Sequence, residues 1–225
     1  MTSIEPRRQA LIDTFLEYNK QINLSAIRDT EGVYLKHILD SLELLKILDL
    51  NTNELNQGSA LRAPHSTLWS WLTGTKHAAR SKEPIKIADI GTGGGFPLLP
   101  LAMTYPNLSF VWIDSVRKKI QAIGWIAETL GIKNLILQRA RIEDIQQKFD
   151  VVTARAVAHV EKLLPWAYGL LKSWSKLVLY KEYKQDERAV MLSLLQVYKL
   201  KLIKEHRYSL FDGDIHRVIY ILERI

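Results

Sequence analysis

The sequence predicts an α/β fold: a mainly parallel sheet with helices on both faces, a C-terminal antiparallel hairpin and an N-terminal helical extension. Three observations predict it. From residue 85 onward, short runs rich in β-branched residues alternate with helical stretches, the pattern of a parallel sheet. The first run ends in Asp89 and opens into a turn with glycines at 91, 93, 94 and 95. The last two runs, 200–208 and 218–222, flank Asp212-Gly213-Asp214 and read as a hairpin.

Taken in order, residues 1–50 form the helical extension. Leu11, Phe15, Tyr18 and Ile22 recur at spacings of four, three and four, which places them on one face of a helix over 3–23. Asn23 to Asp29 break that pattern as a loop, and a second helix starts near Thr30 with Leu35, Ile38, Leu42 and Leu45 as its stripe. Residues 51–84 are rich in Asn, Gln, Ser, Thr, Gly and Pro and read as an insertion or linker. Within them, Leu68-Trp69-Ser70-Trp71-Leu72 lies among Arg62, His65, Lys76, His77, Arg80 and Lys82. Aromatics among basic residues suit stacking on unpaired bases, and equally suit a short element packed on the neighbouring domain. The third unit, 85–225, carries strands at 85–90, 109–114, 135–138, 150–154 and 177–180. Helices are expected from Pro97 to about Thr104 and near 116–130, 159–173 and 186–198, before the hairpin.

The turn after the first strand points to a ligand. Glycine serves where the backbone takes φ > 0 or lets a ligand touch the main chain, and the following helix start offers free N–H groups. The dinucleotide fingerprint G-x-G-x-x-G would need glycine at 96, where this chain has Phe96. No Gly-Lys-Ser/Thr follows, so it is not a phosphate-binding P-loop. The second strand closes on Asp114, about 20 residues beyond the turn, where a ribose-binding carboxylate belongs. Together these favour S-adenosylmethionine over NAD.

Composition narrows the partners. Zero cysteines exclude disulfides and cysteine-ligated metal sites, and no metal is expected. The apolar runs are short and interrupted, and Glu5, Arg7, Arg8, Asp13 and Glu17 do not read as a signal peptide, so a cytoplasmic monomer without membrane contact is expected. The formal charge is +7, and residues 1–84 sum to zero, so the whole excess lies in 85–225. A basic half of this kind suits a polyanion, with nucleic acid the first candidate, against a merely basic surface.

In an open parallel sheet, ligands bind beyond the carboxyl ends of the strands. The candidates there are Asp89 and Gly91 to Phe96, then Asp114 and Ser115, Arg139 to Asp144, Arg155 and Lys181. Each has a plainer alternative: Asp89 as a cap of the turn, Glu143 and Asp144 as first-turn acids, Arg155 and Lys181 as solvated charges. His37, a histidine among apolar helix neighbours, reads as structural on these grounds.

Several blocks resemble the bacterial small-subunit ribosomal RNA guanine-N7 methyltransferases, the glucose-inhibited division protein B family. They are Asn23-Leu24-Ser25-Ala26-Ile27-Arg28-Asp29, His37-Ile38-Leu39-Asp40-Ser41-Leu42 and Asp89 to Pro97, then Asp114-Ser115 with Arg117-Lys118-Lys119, Arg141-Ile142-Glu143 and Ala154-Arg155-Ala156. The first two lie outside the cofactor fold and separate this family from methyltransferases at large. The resemblance implies a Rossmann-like class I methyltransferase fold with S-adenosylmethionine as cofactor. It also implies ribosomal RNA or the small subunit as partner. It places Gly91, Phe96, Ile142, Glu143 and Arg155 on the cofactor, Asp114 on its ribose, and Asn23, Arg28 and His37 on the RNA side. Asp89 and Gly93 belong to the same cofactor turn. Two features depart from the pattern: the longer insertion at 51–84, and Lys181-Glu182 where the family tends to have Lys-Gly. Guanine N7 carries a lone pair and no proton, so its methylation needs no general base. Catalysis is expected from positioning, with Arg155 holding cofactor and base, and Lys181 with Arg28 on the RNA backbone.

Overall fold

The computed structural model describes residues 5–47, 85–91, 93–210 and 215–225. Expectations for the insertion 51–84, its tryptophan cluster and the hairpin tip at 212–214 lie outside the described residues. The strands are β1 (Lys86–Ile90), β2 (Ser109–Asp114), β3 (Leu135–Arg139), β4 (Phe149–Arg155), β5 (Leu171–Glu182), β6 (Leu200–Leu210) and β7 (Ile215–Arg224). Among the described residues they form one sheet of seven, in the order β3-β2-β1-β4-β5-β7-β6. β1 to β5 pair in parallel, and β7 runs antiparallel to both β5 and β6. The chain steps outward from β1 to β3 and then returns to the other side of β1 with β4. That reversal opens a crevice at the carboxyl ends of β1 and β4.

Two cores cover the two faces, sorted by the period of two along each strand. One gathers Ile87, Phe110 and Trp112 with Leu11, Phe15 and Ile123. The other gathers Ala88, Ile90, Val111 and Ile113 with Leu163 and Leu164. The first core therefore takes in the N-terminal helix α1 (Glu5–Ile22). After it, one helical run begins as α2 (Thr30–Val33), passes through a π-helical segment at Tyr34–Leu39 and ends as α3 (Asp40–Ile47). Asp29 starts the run, its carboxylate accepting the Gly32 N–H at 2.7 Å. The remaining helices are α4 (Leu98–Thr104), α5 (Arg117–Thr129), α6 (Val160–Leu170) and α7 (Gln185–Leu194).

Two boundaries differ from expectation. The helix expected over 159–173 stops at Leu170, and β5 begins at Leu171, which pairs with Phe149 before the register shifts and resumes at Lys176 with Val151. Trp174 sits at φ +66 in the irregular stretch, where Lys172 pairs with Asp150 at 2.6 Å. The helix expected over 186–198 stops at Leu194, and Lys199 at φ +46 turns the chain into β6.

Candidate functional site

One half of the site lies at the ends of β1, β2 and β3. Gly91 sits at φ +71, and a Cβ there would come within 2.9 Å of Val157, so the turn requires glycine on both counts. Gly93 also has positive φ, +62. Asp114 accepts the Val116 N–H on Oδ1 at 2.8 Å, while Oδ2 stands 3.9 Å from Lys119 Nζ and makes no hydrogen bond among the described residues. An oxygen beside the turn that makes no hydrogen bond among these residues fits the ribose diol of S-adenosylmethionine. The backbone N–H of Ala140 bonds the Asp114 carbonyl and draws the segment after β3 alongside, with half-buried Ile142 and exposed Glu143 in a short 3-10 turn. The Asp89 side chain is fully buried and bonds the Thr153 hydroxyl on β4, so it braces the turn from beneath.

A polar network joins this half to the N-terminal helices. Phe96 is buried and stacks on His37 at 4.6 Å between centroids, with Phe15 edge-on to both rings. Arg155, at the end of β4, lies 5.8 Å over the Phe96 ring and bonds Asp40 Oδ2 at 3.0 Å. A guanidinium only donates, so its bond to His37 Nδ1 fixes the proton on Nε2, which donates to Ser25 Oγ at 2.8 Å. Burial, reinforced by the Arg155 charge, pushes the His37 pKa down from 6.5 to about 3, and the ring stays neutral. Tyr208 on β6 donates to Asp40 Oδ1 at 2.6 Å, and Tyr180 on β5 donates to the Ser41 carbonyl at 3.0 Å. Burial raises the pKa of both phenols, so they remain donors. His37, expected on the RNA, is therefore committed at both nitrogens and holds Arg155.

The second half is a cleft of about 340 Å³ beyond the ends of β4 and β5, walled by Ile27, Lys36, Asp40, Arg155, Glu182 and Arg217 among others. Lys181 also lines it, but its ammonium is paired with Glu187 at 2.6 Å and bonds the Ala158 carbonyl at 2.7 Å. In this structure that charge is paired within the protein. Arg217 is the cation that sequence reasoning missed. Its Nε is buried without a hydrogen-bond partner among the described residues, and it also lines a second cleft of about 410 Å³ on the hairpin side with Tyr183 and Arg207. Only its strand placement opposite Glu182 and Tyr208 brings it to the site, and no local motif marks that. Asn23 and Arg28 are exposed and bond each other beside the cleft, without lining it. The structure thus gathers Gly91, Gly93, Phe96, Asp114, Ile142 and Glu143 in one half and Arg155 and Lys181 in the other.

Among the described residues no cluster of side chains could hold a metal ion, and no helix is long and apolar enough to cross a membrane.

Comparison with known proteins agrees with this geometry. Among solved structures, the chain is similar to a ribosomal protein L11 methylase from Lactobacillus delbrueckii subsp. bulgaricus, with TM-score 0.52 and 18% identity over 71% of this chain and 78% of that one. It is also similar to M. jannaschii TYW2 in complex with AdoMet, with TM-score 0.51 and 19% identity over 65% of this chain and 72% of that one. At such identity the likeness shows the fold, that of S-adenosylmethionine-dependent methyltransferases. By sequence, two proteins from Streptococcus pyogenes, each called ribosomal RNA small subunit methyltransferase G, are 34% and 35% identical to it, over 99% of this chain and 85% of each relative. The family model for rRNA small subunit methyltransferase G matches residues 64–211, and the chain belongs to that methyltransferase family.

Proposed function

We propose that the protein transfers a methyl group from S-adenosylmethionine to N7 of a specific guanine in small-subunit (16S) ribosomal RNA. The observation that carries this reading is the junction at Arg155. A glycine turn beside the strand-ending carboxylate of Asp114 meets a cation-walled cleft there, with the Arg155 guanidinium over Phe96 on one side and lining the cleft on the other. The relatives' name, with its ribosomal RNA substrate, supports the same reading.

S-adenosylmethionine, when bound, supplies an electrophilic methyl group that the N7 lone pair takes up directly, as the C–S bonding pair returns to sulfur. The protein need not remove a proton. Gly91, Gly93, Phe96, Ile142 and Glu143 shape the cofactor's seat, Asp114 takes its ribose, and Asp89 keeps the turn in place. Arg155, locked by His37 and Asp40, holds the guanine in line for attack, and positioning of this kind supplies much of the rate. Arg217 and Lys36 take phosphates, and Asn23 with Arg28 meets the RNA at the rim. In this scheme residues 1–50 complete the substrate side, 51–84 form an insertion, and 85–225 form the catalytic unit, which acts as a monomer in the cytoplasm.

The two halves can be broken separately. Asp114→Ala should weaken S-adenosylmethionine binding about tenfold or more in direct titration and leave RNA affinity unchanged. Arg217→Ala should leave cofactor affinity intact, weaken RNA binding, and lower the slope of affinity against salt by about one counterion. Equal loss of both ligands in either variant, or methyl transfer that proceeds without RNA, contradicts the assignment.

A further inference from the structure

We propose that Glu182 reads the Watson–Crick edge of the target guanine, an assignment that rests on the guanine-N7 reading above. Three carboxylates line the cleft: Asp40, Glu182 and Glu187. Asp40 has both oxygens taken, one by Tyr208 and one by Arg155. Glu187 gives Oε1 to Lys181 at 2.6 Å and to the Val160 N–H at 3.2 Å, and its side chain is only 14% exposed. Among the described residues Glu182 meets Lys184 at 3.6 Å, and its side chain is 62% exposed. It is the most exposed of the three carboxylates, and its oxygens face the cleft's solvent rather than the protein.

Its surroundings make that exposure informative. Lys36, Arg155, Lys184 and Arg217 share the same walls, and Arg217 stands directly opposite Glu182 on β7. A carboxylate in a groove built for polyanions repels phosphate, unless a hydrogen-bond donor of the substrate meets it. Guanine presents two adjacent donors, N1–H and N2–H, that one carboxylate accepts together. Adenine and cytosine offer a ring acceptor in that place, and uracil offers a single donor between two acceptors.

The topology sets the span. β5 lies two strands from β1 in the sheet, with β4 and its Arg155 between them. At the usual strand spacing that is about 10 Å. A purine that turns N7 toward the end of β1 turns its N1/N2 edge the other way, toward β5. Methylation at N7 leaves the base cationic and makes N1–H a stronger donor, while the N1 proton stays on the base. The contact with Glu182 therefore strengthens as the methyl arrives, and an interaction of that kind raises kcat.

The test uses small-subunit RNA carrying either guanine or inosine at the target position. Inosine keeps N7 and N1–H but lacks the 2-amino group. The wild-type protein should lose about tenfold in kcat/KM on inosine. Glu182→Ala should lose about tenfold on guanine and bring the guanine-to-inosine ratio close to one, with Glu182→Gln between the two. Titrated affinity for S-adenosylmethionine should not change in either variant. An alanine variant that keeps the wild-type ratio overturns the assignment. So does one that is faster on both RNAs, which makes Glu182 a brake on phosphate. Failure of the wild-type protein to methylate N7 of any guanine overturns the guanine-N7 reading itself, and this assignment with it.

Discussion

His37 shows how much of this site is set one residue at a time. Its ring is neutral because burial and the Arg155 charge both penalise the imidazolium, and the folded pKa falls to about 3. An unfolded histidine titrates near 6.5, so between about pH 6.5 and pH 3 the unfolded chain binds one proton more than the folded chain. This residue's contribution is complete above pH 6.5 and is lost on acidification, by up to about 1.4 kcal/mol per pH unit. Denaturant melts of wild type and His37→Gln between pH 7 and 4 should show it. The variant is less stable at pH 7, and its stability falls less steeply toward pH 4. Parallel slopes would mean that His37 is already charged in the folded protein. None of this is legible locally, because the Arg155 partner lies 118 residues away. The turn at Gly91 and the strand ending in Asp114 were legible, since a φ > 0 glycine and a strand-ending acid are local features, whereas Phe96 was assigned to the cofactor only through the family resemblance.

At the scale of elements, the helical run from Thr30 to Ile47 is what the site hangs on. Its π-helical segment contains His37 and ends just before Asp40. The widened turn, a common feature of functional sites, lets both residues reach Arg155. The run is fastened to the sheet by polar bonds, from Tyr208 to Asp40, Tyr180 to the Ser41 carbonyl, and His206 to Glu43. Tyr208→Phe removes one donor and leaves a buried carboxylate oxygen short of a partner. The expected cost is about 2 kcal/mol, with faster amide exchange along 40–47 and a lower kcat at unchanged S-adenosylmethionine affinity. Unchanged exchange there would show that the helix does not depend on the hairpin. The sequence foretold this helix by its apolar stripe but not its docking, for periodicity reports which face is buried and not what polar groups it meets. The same limit explains β5: the helix expected to reach 173 stops at Leu170 because Leu171 pairs with Phe149 on β4, and the register then skips to Lys176 opposite Val151.

For the molecule as a whole, the alternation of strands and helices was enough to give the sheet, its switch point and the half of the site at the ends of β1 to β3. The cleft beyond β4 and β5 was less legible: Lys181 follows a strand, but its pairing with Glu187 and the arrival of Arg217 from the last strand are set by the fold. Net charge of +7 pointed to a polyanion without saying where it lies. In the proposed reaction the two halves together serve one transfer, to N7 of one guanine. This is tested most directly by incubating the protein and methyl-labelled S-adenosylmethionine with small ribosomal subunits, and with their deproteinised RNA, from cells lacking this protein, and then mapping the label. The label should appear at N7 of a single guanine, and at sub-saturating S-adenosylmethionine it should be strongly reduced by Asp114→Ala and by Arg155→Ala. Label on another atom or spread over many guanines, or none while S-adenosylmethionine still binds, would contradict the proposed reaction.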